Sequence, residues 1–98
     1  MQSRDVIHLN LTGCKTLLDL HERIRTTFDF PDWYGHNWNA FYDLMRTDVS
    51  ANKVIITGEH TVASVLQPQL KIMHNALDQL VRYNLHELNE VFTYEIVS

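Results

Sequence analysis

Hydrophobic residues recur along this chain at two spacings, and the switches between them predict the elements. Val6, Ile7 and Leu9 form a short run broken by the turn-prone stretch from Asn10 to Gly13, which reads as a first strand. Leu17, Leu20, Ile24 and Phe28 then return every three or four residues. Thr16 and Asp19, three apart at their head, have the layout of a capping box. Pro31 closes this helix, and Asn37 suits the N-cap of a second one reaching about Arg46. Val54, Ile55, Ile56 and Thr57, ahead of Gly58, have the β-branched continuity of a strand buried on both faces. Thr61 heads a brief helical turn to Leu66. Pro68 fits the first turn of a longer helix carrying Leu70, Met73, Leu77, Leu80 and Val81 on one side, and Leu85 and Leu88 extend its pattern nearly to the final strand, Val91 to Val97.

Long helical stretches separate successive strands, so hairpin pairing is excluded. The expected fold is α/β: a small three-stranded parallel sheet with right-handed crossovers, packed by three to four helices. Ninety-eight residues without repeat, linker or low-complexity segment predict one domain over residues 1–98. An apolar fraction of 45% against 20% charged residues belongs to a folded chain rather than a disordered one. No apolar run approaches the roughly 18 residues of a membrane span, and Met1 to Asp5 lacks a signal peptide's hydrophobic stretch. The lone Cys14 cannot form an internal disulfide, which favours a reducing, cytoplasmic setting.

The most distinctive segment runs from Phe30 to Leu44, where both tryptophans, two of the four tyrosines and two of the four phenylalanines gather on a loop entering the second helix. At about 100° per residue, Trp38, Phe41, Leu44 and Met45 share one sector and should pack inward. Asn39 and Asp43 fall on the opposite side, with Tyr42 and Arg46 at their edge. Trp33 and Tyr34 precede the helix and have no helical register to bury them, so at least one is expected at the surface beside Asn39 and Asp43. Gly35 is explained by a turn that requires positive φ or close approach. Rigid aromatics beside a carboxylate suit a surface that grips another macromolecule.

The net charge of −4 argues against nucleic acid as direct ligand, because phosphate binding needs clustered Lys and Arg, and it favours a basic partner. The acidic residues are concentrated: Asp29, Asp32, Asp43 and Asp48 oppose only Arg46 in residues 29–48, and Asp78, Glu87, Glu90 and Glu95 oppose only Arg82 in residues 78–95. None of the six histidines is spaced as His-x-x-x-His and Cys14 stands alone, so no metal site is expected. His36 and Asp43 would make an acid/base dyad, yet no nucleophile elbow, glycine-rich phosphate loop or second paired carboxylate accompanies them. Neither enzymatic activity nor a cofactor is predicted.

Pro31, Tyr34, Gly35, Asn37, Ala40 and Asp43, with the apolar positions between them, resemble the barstar family of intracellular ribonuclease inhibitors. The similarity extends more weakly to Leu18, Asp19, Leu20 and His21, and to the order of elements over nearly the full chain. It implies a three-stranded parallel sheet packed by helices, and inhibition of a small basic guanyl-specific ribonuclease whose active site receives this loop and helix. Asp43 is then the carboxylate that enters the phosphate-binding pocket. Trp33 and Tyr34 match the aromatic pair of the binding loop, Gly35 its glycine and Tyr42 an aromatic on the helix, and Asn37 and Asn39 complete the implied partner-binding set. The chain also departs from the pattern. Asn39 stands where the family's type member has a second aspartate, Arg46 adds a cation, and His36 replaces a carboxylate. Asp78 is the candidate for an acidic residue contributed by a later helix. Two readings stay open: an inhibitor of a basic ribonuclease, or an adaptor of the same fold that binds a non-nuclease protein through this surface.

Overall fold

A computed structural model describes residues 6–97. In chain order they form β1 (Val6–Asn10), α1 (Leu17–Phe28), α2 (Trp38–Thr47), β2 (Lys53–Thr57), α3 (Gln67–Glu87) and β3 (Thr93–Val97), with 3-10 turns at Glu59–Thr61 and Ser64–Leu66. Met1 to Asp5, the stretch that lacks a signal peptide's hydrophobic run, lie outside the described residues. The sheet has the order β1-β2-β3 with every pair parallel. Ile7, Val54 and Tyr94 lie in one row, and Leu9, Ile56 and Ile96 in another.

Local chemistry explains the helix boundaries. Thr16 Oγ1 accepts from the Asp19 amide at 3.0 Å, and Asp19 Oδ2 accepts from the Thr16 and Lys15 amides at 3.2 and 3.1 Å. These bonds, the one from Lys15 foremost, hold the Asp19 carboxyl below the usual carboxylate range. At the other end α1 stops on Asp29, which turns left-handed at φ 58°, two residues before Pro31. Thr61 does not cap a helical turn. Its hydroxyl donates to the Gly58 carbonyl at 2.7 Å, closing the turn made by that left-handed glycine, and Ala63 precedes Ser64–Leu66 without any side-chain cap. The segment therefore stays as two 3-10 turns, and the described residues hold three α-helices, the lower end of the three to four expected.

Leu9, Val54 and Ile56 meet Leu20, Ile24 and Phe28 of α1, Phe41 and Met45 of α2, and Leu70, Met73 and Leu77 of α3 in one continuous core. All fully buried strand residues lie on this face of the sheet. On the other, Val6, His8, Thr93 and Glu95 are exposed, Ile55 is half-buried, and Lys53 pairs with Glu95 at 3.3 Å. β2 is thus not buried on both faces, contrary to its unbroken apolar run. Lys53, Ile55 and Thr57 on its second face are half-buried.

Candidate functional site

The aromatic loop between α1 and α2 has a buried inner side, anchored to α1. Phe30 stacks on Phe28 with ring centroids 5.6 Å apart and meets Tyr34 at 5.2 Å. Arg25 reaches from α1 to Asp32 at 3.3 Å, and also to Glu22. Glu22 in turn accepts from His36 Nε2. Hydrogen bonds from Arg25 first, then from His36, hold the Glu22 carboxyl below its usual range.

Tyr34 closes this inner side. It is only 2% exposed, and its hydroxyl lies 2.7 Å from Nδ1 of His21, itself 1% exposed. The His21 ring packs on Trp38 at 4.4 Å. Burial, with a smaller push from His36, drives the His21 pKa down to about 4, so the imidazole is neutral at pH 7, and burial likewise pushes the Tyr34 phenol well up. His21 Nε2 finds no partner. The bonding is best satisfied when Nδ1–H donates to the Tyr34 oxygen and the Tyr34 hydroxyl donates onward to the Asn37 carbonyl at 3.5 Å, because the atom left unpaired is then an acceptor rather than an N–H.

These positions decide the expectations for Tyr34, Gly35 and Asn37. Tyr34 is a core residue and offers a partner no ring surface, because α1 supplies His21 to receive its hydroxyl. Gly35 does not take positive φ; the left-handed residue is His36 at φ 51°, held there by Glu22. A Cβ at Gly35 would sit 2.9 Å from Asn37 Nδ2, so close approach is what requires glycine. Asn37 spends both ends of its amide locally. Its Oδ1 accepts from the Ala40 amide at 2.8 Å as the α2 N-cap, and its Nδ2 donates to the Gly35 carbonyl at 3.0 Å.

The outer side carries the remaining site residues. Trp33 is 74% exposed, the most exposed aromatic among the described residues. On α2, Phe41, Leu44 and Met45 face the core and Trp38 is half-buried, its indole N–H donating to Gln69 of α3 at 2.8 Å. Asn39 and Asp43 point outward, and Tyr42 lies half-buried at the edge. The structure brings Tyr42, Asp43 and Arg46 together. Arg46 donates to Asp43 Oδ1 at 2.9 Å, and its guanidinium sits 5.5 Å from the Tyr42 ring centroid and 5.6 Å from that of Tyr83. The bonds to Asp43 and then Tyr83 raise the Arg46 pKa. His36 and Asp43 are engaged with Glu22 and Arg46 respectively and form no dyad.

Tyr83, Gln69 and Glu22 escape a reading of α2 alone. Their signal lay in the neighbouring helices: Gln69, Ala76, Leu80 and Tyr83 recur at helical spacing on one stripe of α3. Asp78, on α3, is tied to β3. Its Oδ1 accepts from the Tyr94 hydroxyl at 2.6 Å, so this carboxylate serves the junction of α3 with β3. Burial, followed by Asp78, pushes the Tyr94 phenol up to about 12.

Among the described residues no group of three or more His, Cys, Asp or Glu is placed to hold a metal ion, and no helix is long and apolar enough to cross a membrane. The outer side thus places a carboxylate, a cation and exposed aromatic area together on a loop and helix whose opposite side is buried.

The chain matches the family described as Barstar (barnase inhibitor) over residues 4–96, and it belongs to that family. No curated protein matches it individually.

Proposed function

We propose that this chain inhibits a small basic guanyl-specific ribonuclease by occupying its active site with the outer side of the aromatic loop and of α2. The observation that carries the reading is the Asp43 carboxylate, 64% exposed on a helix whose opposite face is locked into the core, with Trp33 projecting from the preceding loop. Family membership supports it. Asp43 accepts charge-assisted hydrogen bonds from the enzyme's cations, as a substrate phosphate would. Trp33, Asn39 and Tyr42 cover the surrounding surface and exclude water, while Tyr34, Gly35 and Asn37 hold the loop in shape. Nothing is cleaved or transferred, so inhibition is occlusion. The negative net charge steers encounter with a basic enzyme, and association slows as salt rises. A free, buried Cys14 suits the reducing cytoplasm where such an inhibitor would act.

The test is RNA cleavage by a small basic guanyl-specific ribonuclease in the presence of the protein. Stoichiometric inhibition that Asp43→Ala weakens is expected; no inhibition at low salt, or inhibition indifferent to Asp43→Ala, overturns the reading. Asn39 and Arg46 favour the second reading, an adaptor for a non-nuclease protein, because both reduce the acidity of the face. That reading predicts capture of a non-nuclease partner from cell extract, lost on Trp33→Ala.

A further inference from the structure

Arg46 follows Asp43 by one helical turn, and the structure gives it more than a surface ion pair. Its guanidinium bonds Asp43 on one side and lies near the rings of Tyr42 and Tyr83, and it is less exposed than the carboxylate it holds. Its Nε is covered and finds no acceptor, so the rings and Asp43 set its position. A lone surface arginine swings aside for an approaching cation. This one is assembled before any partner arrives, and two helices hold it.

The face therefore carries a fixed pair of opposite charges where a single carboxylate would otherwise stand. Asn39, one turn earlier, adds no negative charge to offset the guanidinium. An entirely basic pocket that accepts Asp43 must also accommodate Arg46, and like charges brought together at an interface oppose binding. A pocket with a cation opposite Asp43 and a carboxylate opposite Arg46 satisfies both. Resting on the inhibitor reading of this surface, we infer that Arg46 is its selectivity residue: a cation locked beside Asp43 that admits ribonucleases bearing a carboxylate at the pocket rim and disfavours those with a uniformly basic rim.

The experiment compares association of the wild-type protein, Arg46→Gln and Arg46→Lys with a small guanyl-specific ribonuclease of uniformly basic rim, at low and high salt. Arg46→Gln should associate about tenfold faster at low salt, with the gain shrinking as salt screens it. Arg46→Lys retains the charge and should stay near the wild-type rate, which separates charge from side-chain bulk. Equal rates for wild type and Arg46→Gln, or an Arg46→Lys as fast as Arg46→Gln, overturn the selectivity role while leaving the inhibitor reading standing. Binding by none of the three overturns the inhibitor reading and this inference together.

Discussion

Trp33 and Tyr34 are adjacent aromatic residues on one loop, and they do opposite work. Tyr34 is buried against Phe30 and bonded to His21. Trp33 projects into solvent with little of its ring covered. The difference comes from what each side chain meets. α1 places a neutral imidazole where the Tyr34 hydroxyl arrives, whereas Trp33, beside the exposed Asp32 that pairs with Arg25, meets no such partner for its ring among the described residues. The same division continues into α2, where Phe41 and Met45 hold the helix down and Asn39 and Asp43 face away. A stable inner side is what lets the outer side keep polar and aromatic groups exposed in fixed positions, and fixed groups lose little entropy on binding.

If the inner side carries stability and the outer side carries recognition, substitutions on each should change one property and spare the other. The largest effect is expected for Tyr34→Ala, which empties a buried aromatic site and should lower unfolding free energy by about 3–5 kcal/mol in urea titration. Acid should act next. The unfolded-state imidazole of His21 takes a proton near pH 6.5, while the folded one resists until about 4. Between those values the unfolded chain binds more protons, so stability falls as pH drops through that window, by roughly 3 kcal/mol when complete. A thermal-melt series from pH 7 to 4 should show this component, and His21→Gln should remove it.

On the outer side, Asp43→Ala should weaken ribonuclease binding by about 2–3 kcal/mol in calorimetry, the scale of a hydrogen bond to a charged group. It should leave stability within about 0.5 kcal/mol, because Asp43 is exposed and the Tyr42 and Tyr83 rings still hold Arg46. Trp33→Ala should be the mildest of the set, with a loss of about 1–2 kcal/mol in binding and no shift in the melt. A Trp33→Ala protein that unfolds more easily, or a Tyr34→Phe protein that folds well and loses binding, would blur the division.

What the sequence made legible follows the reach of each interaction. The capping box of Thr16 and Asp19 and the cap at Asn37 act across three residues, so their spacing alone reveals them. The polar face of α2, with Asp43 and Arg46 one turn apart, is legible for the same reason. The fates of Trp33 and Tyr34 were not, because His21 decides them from another helix. Nor was the left-handed turn at His36, which Glu22 of α1 holds, or the part Tyr83 of α3 plays beside Arg46. The apolar run of β2 misled for a related reason: β-branched residues suit any strand, and only the placement of the helices decides which face is covered.

The most direct test maps the bound surface without altering it, by titrating isotope-labelled protein with a small basic guanyl-specific ribonuclease and following backbone amide and Trp side-chain NMR signals. The account predicts the strongest perturbations at Trp33, Asn39, Tyr42, Asp43 and Arg46, with Leu9, Val54 and Ile56 in the core little changed. Perturbations centred instead on the open sheet face around His8, Ile55 and Glu95, or none at all at low salt, would contradict it.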